Sequence, residues 1–324
     1  MCSSDLGCIN KMAIILDSFG WDNGFGYEKF YTVYNDQRNK EGLTLEDIEV
    51  GLTEEEKKNG AKKTRFPSVI LIPSGSGKFS NSFANNYALD KINIVFDGKE
   101  YMIGELAIRQ DHRGGLRNYN SNKYKDVSEI AKLCSGLVLL FPDTTEIVIN
   151  KLVLGLSIKV YSPKSTAEAI DIYKGKTFEV VVPRQSKDSG NIWRKKVKIR
   201  IEDVNLIPQG IGILQDVMLN NSGRVIDTDN LMNKRFGVLD IGTNTVDAFV
   251  RDGLSPVEDS EFALSYGTSD VFSRVAKILN LTNLENKIEQ AYIEGKETIY
   301  FQGQNRSILS SCNNTFEIFG EEIY

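Results

Sequence analysis

The chain has 324 residues, enough for about two domains, and 41% of them are hydrophobic and 26% charged, which is ordinary for a globular protein. A formal net charge of −5 argues against broad non-specific binding of nucleic acid, and no apolar stretch approaches the ~18 residues of a membrane-spanning helix. Four cysteines and one histidine form neither a zinc motif nor a disulfide framework, so we expect a cytoplasmic protein without direct contacts to membranes or nucleic acid.

Residues 1–11 have neither the basic start nor the apolar centre of a signal peptide. Met12 is a second plausible start, and it leads directly into an apolar, strand-like segment at residues 13–16. We therefore expect residues 1–11 to be extraneous to the fold.

Two strands are predicted around a glycine-containing connection near the N-terminus. Residues 13–17 and 30–34 are rich in aliphatic, aromatic and β-branched side chains, and we expect them to pair. Between them a near-repeat places an aspartate ahead of a glycine twice, at Asp17 and at Asp22. The second copy continues as Asp22-Asn23-Gly24-Phe25-Gly26-Tyr27-Glu28-Lys29.

This first turn has the composition of a phosphate site. Glycines let the backbone turn and let a ligand approach closely, and successive N–H groups form a concave anion site. An aspartate at the start of such a turn can hold Mg²⁺ through water. Spacing favours Asp22 in this role, and Asp17 remains the alternative.

The middle of the chain alternates strand and helix patterns. Residues 35–63 are polar and charged and are expected to form a solvated loop or a small helix, and residues 66–72 are expected to be extended. Asp97-Gly98 is a hairpin turn signal between 93–96 and 101–103. A helix is predicted to begin at 104, and helical spacing predicts further helices at 126–140 and 165–173. Strands are predicted at 146–154, 158–161, 177–182 and 196–201. Pro208 suits the first turn of a helix whose apolar face includes Leu214 and Met218, and Gln209 follows it.

A second turn lies about 210 residues after the first. A strand at 236–240 enters Asp240-Ile241-Gly242-Thr243-Asn244-Thr245-Val246-Asp247, and residues 247–250 are its predicted partner. Hydroxyl side chains at Thr268 and Ser269 are good helix N-caps, so a helix is expected to begin there. Further elements are predicted near 282–294 (helix), 297–301 (strand) and 316–319 (the start of a helix).

These motifs resemble those of the actin–Hsp70–sugar-kinase superfamily, and more narrowly the actin-like proteins of the ParM type. The first turn is similar to that family's phosphate-1 motif at Asp22, Gly24, Gly26 and Lys29. The second is similar to its phosphate-2 motif at Asp240, Gly242, Thr243, Thr245 and Asp247. Gln209 stands where the family keeps a catalytic Gln or Glu, and Gly267 and Asp270 resemble the helix start that follows phosphate-2.

The resemblance implies an α/β, actin-like (ribonuclease-H-like) fold of two domains, with mixed sheets flanked by helices and a nucleotide cleft between the domains. Domain I would span residues 12–232 and domain II residues 233–324. The family's glycine-rich adenosine motif is not found, so domain II is expected to be incomplete at its C-terminus.

The resemblance also implies roles for the site residues. The bound cofactors would be ATP or GTP and Mg²⁺, with Asp22 and Asp240 holding the ion through water. Gln209 would orient the attacking water, since an amide can donate and accept at once. The nucleotide phosphates would lie against Gly24, Phe25, Gly26, Lys29, Gly242, Thr243, Asn244 and Thr245, with Gly267 and Asp270 in the cleft.

The function implied is that of a polymerising ATPase whose filaments, made of copies of this chain, segregate plasmid DNA with a DNA-binding adaptor protein. The alternative is a non-filamentous ATP-dependent clamp of the chaperone or pilus-assembly type. A small-molecule kinase ranks lower because no general-base aspartate stands out, and a non-catalytic scaffold is the remaining hypothesis.

Four other sequence patterns are expected to have a structural role and no functional one. Residues 73–78 lack the first glycine of a Walker A motif and its final hydroxyl residue, which favours a loop. His112 is expected at the surface. Lys195, Lys196, Lys198 and Arg200 are expected mainly on the solvent face of a strand, and residues 297–303 are expected to form a strand and a turn.

Overall fold

The computed structural model describes residues 13–34, 58, 60–73, 92–111, 113–120, 122–142, 144–158, 160–185, 192–219, 224–226, 230–253 and 255–323. The expectations for residues 1–11 and His112, and for most of 35–63 and 73–78, lie outside these residues. No helix within the described ranges has the length and apolar content to cross a bilayer.

Two sheets form the first half of the molecule. Their strands are β1 (Ala13–Leu16), β2 (Phe19–Asn23), β3 (Tyr27–Val33), β4 (Ala61–Pro67), β5 (Ile70–Leu71), β6 (Asn93–Phe96), β7 (Lys99–Ile103), β8 (Glu146–Ile149), β9 (Leu152–Leu156), β10 (Lys176–Gln185), β11 (Ile192–Ile201) and β12 (Val204–Pro208). The seven-stranded sheet has the order β1-β8-β11-β10-β6-β7-β5, and the five-stranded sheet has the order β12-β9-β2-β3-β4. In the second sheet β2, β9 and β12 run parallel, while β3 and β4 are antiparallel to their neighbours.

The second half is built on a smaller sheet of four strands. Its strands are β13 (Arg235–Ile241), β14 (Val246–Asp252), β15 (Ser255–Pro256) and β16 (Phe262–Leu264), and a separate hairpin contains β17 (Thr298–Phe301) and β18 (Gln304–Ser307). The helices of the whole described chain are α1 (Glu105–Gln110), α2 (Val127–Leu140), α3 (Pro163–Tyr173), α4 (Ile211–Met218), α5 (Thr268–Ile278), α6 (Glu285–Ile293) and α7 (Leu309–Ile323).

Helix α2 lies at the centre of the first core. Its residues from Glu129 to Leu140 are all buried, and they share a cluster with Phe19, Trp21 and Phe30 of the five-stranded sheet. Helix α4 packs differently, since Leu214 and Met218 share a core with Val238 and Phe249 of the smaller sheet. The chain after β12 therefore crosses from the first core to the second.

Most predicted elements are confirmed, including the Asp97-Gly98 hairpin, where both residues adopt positive φ. The basic strand face is confirmed at Lys196, Lys198 and Arg200, which are exposed. Lys195 is on the opposite face, where it is buried and donates to the carbonyl of Pro142. The strand and turn at 297–303 are also confirmed.

Five local predictions were wrong. The strand predicted at 146–154 is two strands, β8 and β9, which belong to different sheets. Residues 61–63, expected in a loop or small helix, begin strand β4. Residues 19–23 form strand β2, because Phe19 and Trp21 alternate into the core at the strand period; β3 therefore pairs with β2, while β1 pairs with β8. The strand predicted at 158–161 is not formed, because the amides of Val160 and Tyr161 both donate to the carbonyl of Ser157, as in a turn. Pro208 ends strand β12 instead of opening α4, because Gly210 with φ 89° separates the two elements.

Candidate functional site

The first turn connects β2 to β3. Asp22 lies opposite Lys29 in the antiparallel register, so both side chains project from the same face of the sheet. Lys29 Nζ lies 2.9 Å from Asp22 Oδ2. Burial alone would lower the pKa of Lys29, but Asp22 and then Asp240 hold it above its ordinary value, so the ammonium stays charged beside two carboxylates.

Gln209 reaches the same aspartate from the end of β12. Its backbone N–H donates to the carbonyl of Leu156 at 2.6 Å, and its side-chain Nε2 donates to Asp22 Oδ1 at 2.6 Å. A Cβ at Gly155 would lie 3.4 Å from Gln209 Cγ and 3.8 Å from Asp22 Oδ1, so strand β9 passes within contact distance of this pair. Residues 187 positions apart thus meet.

Asp17, the alternative aspartate, lies between β1 and β2, outside the turn. Asn150 Nδ2 lies 3.4 Å from Asp17 Oδ1. The contacts of Asp22 with Lys29 and Gln209 therefore favour Asp22 over Asp17 as the aspartate of the first turn, as the spacing in the sequence does.

The second turn connects β13 to β14, with Asp240 opposite Asp247. The Gly242 amide donates to the Thr245 carbonyl at 2.8 Å, and Thr245 Oγ1 donates to Asp247 Oδ2 at 2.8 Å. The pKa of Asp240 is raised, first by burial and then by the charge of Asp22, while Lys29 opposes the shift. The acids of the two turns are therefore close enough to repel each other.

The two turns touch. A Cβ built on Gly26 would lie 1.9 Å from Thr243 Oγ1, well inside any real contact, so only glycine allows the first turn to approach the second this closely. The structure therefore brings the two sequence motifs together on one side of the molecule.

Helix α5 holds the second turn from behind. The amides of Thr268 and Ser269 donate to the carbonyls of Gly242 (3.1 Å) and Thr243 (2.8 Å). In a trans peptide the C=O and N–H point in opposite directions, so the amides of Thr243 and Asn244 point away from α5. Within the described residues, neither amide donates a hydrogen bond, and both are available to an anion.

Gly267 and Asp270 help α5 to hold the second turn. A Cβ on Gly267 would lie 2.5 Å from the Thr243 carbonyl oxygen, so the helix start packs directly on the turn. Asp270 Oδ2 accepts from the Gly267 amide at 2.9 Å, which caps the helix. Their described contacts are with the turn and with the start of α5.

A buried charged cluster behind the first turn was missed by the sequence analysis. Lys132 Nζ lies 2.8 Å from Glu129 Oε1, 2.8 Å from Ser68 Oγ and 3.4 Å from Glu28 Oε1. Lys123 Nζ lies 3.8 Å from Glu129 Oε2. Glu129 and Lys132, which are opposite in charge and lie inside the otherwise apolar α2, were the sequence feature that could have indicated this cluster, because charged side chains are buried when they are paired.

The two halves also meet through a clasp formed by residues 114–117 and helix α6. Arg117 forms an ion pair with Glu289, and their side chains are only 3% and 6% exposed. Asn286 Nδ2 donates to the carbonyls of Gly114 and Gly115 at 3.1 and 3.2 Å. This contact joins a loop of the first half to a helix of the second.

The carboxylates fit a hydrated Mg²⁺ ion. After burial, the charge of Asp22 is the next cause that raises the pKa of Asp240, and a divalent cation between the two carboxylates would relieve that repulsion. Mg²⁺ in nucleotide sites is commonly held by one or two carboxylates together with waters and phosphates, so two acids are a sufficient protein contribution.

Comparison with known proteins identifies a family. A family model described as "Actin like proteins N terminal domain" matches residues 49–212, about half of the chain. No curated protein matches the sequence.

Solved structures share the fold. The crystal structure of the actin-like protein Alp7A is 14% identical with a TM-score of 0.64, covering 96% of this chain and 78% of that one. The archaeal actin homolog Ta0583 in complex with ADP is 16% identical with a TM-score of 0.56, covering 95% and 80%. The apo psk41 ParM protein is 16% identical with a TM-score of 0.56, covering 95% and 79%. At these identities the similarity shows the fold alone.

Proposed function

Because the chain belongs to the actin-like proteins, we propose that it binds and hydrolyses a nucleoside triphosphate, ATP or GTP, with Mg²⁺ and polymerises while the nucleotide is bound. The proposed domains are residues 12–232 and 233–324, with the nucleotide between them. The observation that carries the proposal is the contact between the two glycine turns at Gly26 and Thr243.

The turns supply the positioning and charge that phosphoryl transfer needs. Amides at 24–26, 243 and 244, together with Thr245, would cradle the β- and γ-phosphates, while the Gly242 amide already donates to the Thr245 carbonyl. Lys29 would add a positive charge to the same face. Asp22 and Asp240 would hold Mg²⁺ through water, and the ion would neutralise charge on the phosphates.

Gln209 is placed to orient the attacking water. Its Nε2 donates to Asp22 Oδ1, which fixes the plane of the carboxamide and leaves Oε1 to accept a proton of that water. The aspartate thus couples the position of the water to the first turn.

Filament formation extends this proposal by analogy with the family. Filaments of this chain would segregate plasmid DNA in the cytoplasm through a DNA-binding adaptor protein. The test is light scattering on the protein with Mg²⁺ and ATP or GTP, alongside phosphate release. The proposal expects a nucleotide-dependent rise in scattering followed by decay as phosphate appears; no change in scattering at high protein concentration would contradict it.

A second candidate is a non-filamentous clamp that closes on nucleotide. The buried Arg117–Glu289 pair favours it, because this contact would join the two sides of a closed cleft. Sedimentation distinguishes the two candidates. A clamp remains a monomer with every nucleotide, whereas a filament protein sediments as large species with the triphosphate.

A further inference from the structure

The first turn is held from behind by a lysine side chain that the sequence motif does not include. Lys123 lies just before α2 and is 4% exposed. Its ammonium donates to the carbonyl of Gly24 at 2.5 Å and lies 4.8 Å from the ring centroid of Phe25. The side chain therefore contacts two successive residues of the turn.

This contact sets the direction of an amide. The Gly24 carbonyl and the Phe25 N–H belong to one peptide unit, and the described chain contains no cis peptide bond. Because the carbonyl points inward to Lys123, the Phe25 N–H points outward. Within the described residues the amides of Phe25 and Gly26 donate no hydrogen bond, so both remain available to an anion.

The second turn is supported in the same way by different groups. There the N-terminal amides of α5 take the carbonyls of Gly242 and Thr243, and the following amides point away. No corresponding helix amide takes the Gly24 carbonyl among the hydrogen bonds of the described residues, where Lys123 is the donor.

The cost of burying this ammonium indicates a specific role. A buried cation is tolerated when it is paired and hydrogen-bonded. Glu129 and Glu28, both fully buried, together with Lys123 and Lys132 make a cluster of two carboxylates and two ammonium groups. Lys132 pairs with both carboxylates. Of the two lysines, Lys123 is the one that donates to the Gly24 carbonyl.

From these contacts we infer that Lys123 is a positioning residue for phosphate binding, which fixes and polarises the Gly24–Phe25 peptide so that its amide faces the β- or γ-phosphate. The inference rests on the proposed nucleotide site. A donor that is charged strengthens its hydrogen bond, and hydrogen bonds in series polarise one another. The Phe25 amide is consequently a stronger donor to phosphate.

The test compares two double variants that each remove one ammonium and one carboxylate from the same cluster. Lys123→Met with Glu129→Gln leaves Glu28 paired with Lys132 but leaves the Gly24 carbonyl without its donor. Lys132→Met with Glu129→Gln removes all three ion pairs of the cluster but keeps Lys123 on the Gly24 carbonyl. Both keep the cluster neutral, so thermal unfolding of the two variants provides the control for folding.

Two readouts are measured on each folded variant. Calorimetric titration with Mg²⁺ and a non-hydrolysable ATP analogue should show about tenfold weaker binding for the Lys123 variant, the loss expected of one charge-assisted hydrogen bond, and nearly unchanged binding for the Lys132 variant. Hydrogen exchange without nucleotide should be faster over residues 22–30 in the Lys123 variant only.

Equal affinities in the two variants, or unchanged exchange in the turn, would overturn the role of Lys123. If the unmodified protein binds neither ATP nor GTP, the proposed function fails instead. The exchange measurement still decides whether Lys123 holds the turn, because it needs no ligand.

Discussion

At the scale of single residues, the contact between the two turns depends on the absence of one side chain. Gly26→Ala would place a Cβ 1.9 Å from Thr243 Oγ1, so the turns must separate. We expect nucleotide affinity to fall about tenfold, since overpacking costs roughly 1–3 kcal/mol. Calorimetric titration measures the affinity.

Thr243→Ala in the Gly26→Ala background removes the closest overlapping atom and should restore part of the affinity. Gly212→Ala is the matched control, because a Cβ there meets nothing within 4 Å. An affinity for Gly26→Ala equal to that of the control would refute the close approach of the turns.

Gln209 should affect hydrolysis more than binding. Gln209→Ala removes the amide that donates to Asp22, and losing a group that positions the reacting water lowers turnover by about 10²-fold. Single-turnover phosphate release measures the rate, and nucleotide titration checks that binding is retained. Unchanged hydrolysis would assign the residue to support of Asp22 alone.

Individual residues of the site were predictable where the motif is local. Asp22 with Lys29, and Asp240 with the following turn, follow from short patterns in the sequence. That Gln209 and the two turns share one site was expected only through a family resemblance. The contacts of Gln209 with Asp22 and of Gly26 with Thr243 were not predicted, because no local pattern encodes contacts between residues so distant in the chain. Lys123 was missed because its role depends on burial.

At the scale of elements, the clasp between residues 114–117 and α6 can be tested by removing its buried ion pair. Arg117→Ala would leave Glu289 buried without its partner, and breaking a buried pair costs about 3–5 kcal/mol. We expect a fall of that size in the free energy of unfolding, measured with denaturant. The charge-swapped variant, Arg117→Glu with Glu289→Arg, should recover part of it.

If the swapped variant is no more stable than the sum of its single changes, the pair does not form. Arg235→Ala is the matched control, because Arg235 pairs with Asp252 at the surface, where ion pairs contribute about 0–1 kcal/mol.

The start of α3 offers a second test of an element. Ser162 and Ser165 form a capping box, in which Ser162 Oγ accepts from the Ser165 amide at 3.1 Å. Ser162→Ala should lower the free energy of unfolding by about 1 kcal/mol. Lys164→Ala, an exposed change in the same turn, should have a smaller effect, and the reverse order would contradict the assignment of the cap.

Elements were predicted well where one periodicity dominates. Helix α2 and the Asp97-Gly98 hairpin are examples. Strand β2 was missed because glycine and aspartate in residues 17–26 suggested a loop, while burial of Phe19 and Trp21 in the five-stranded sheet decides the conformation. Tertiary packing overrode the local preference there.

At the scale of the whole molecule, the two halves are joined at the turns and at the clasp. A ligand that contacts both halves binds the folded state and therefore stabilises it. At a concentration 100 times its Kd, Mg-ATP should add about 2.7 kcal/mol to the free energy of unfolding. Differential scanning fluorimetry with increasing nucleotide measures the shift, and Asp240→Ala, which removes one acid of the site, should reduce it.

The architecture of the molecule was predictable only in part. Composition and periodicity indicated alternating strands and helices, and the resemblance supplied the two-domain arrangement. The pairing order of the sheets did not follow from the sequence, because β8 pairs with β1 at Ala13 and Glu146 and with β11 at Glu146 and Lys198, and both partners are distant in the chain.

The most direct test of the central claim is a crystal structure of the protein with Mg²⁺ and a non-hydrolysable ATP analogue. We predict that the β- and γ-phosphates lie between the amides of residues 24–26 and those of Thr243 and Asn244, with Asp22 and Asp240 facing the metal. A triphosphate bound elsewhere, or turns that separate and leave the phosphates in contact with only one of them, would contradict it.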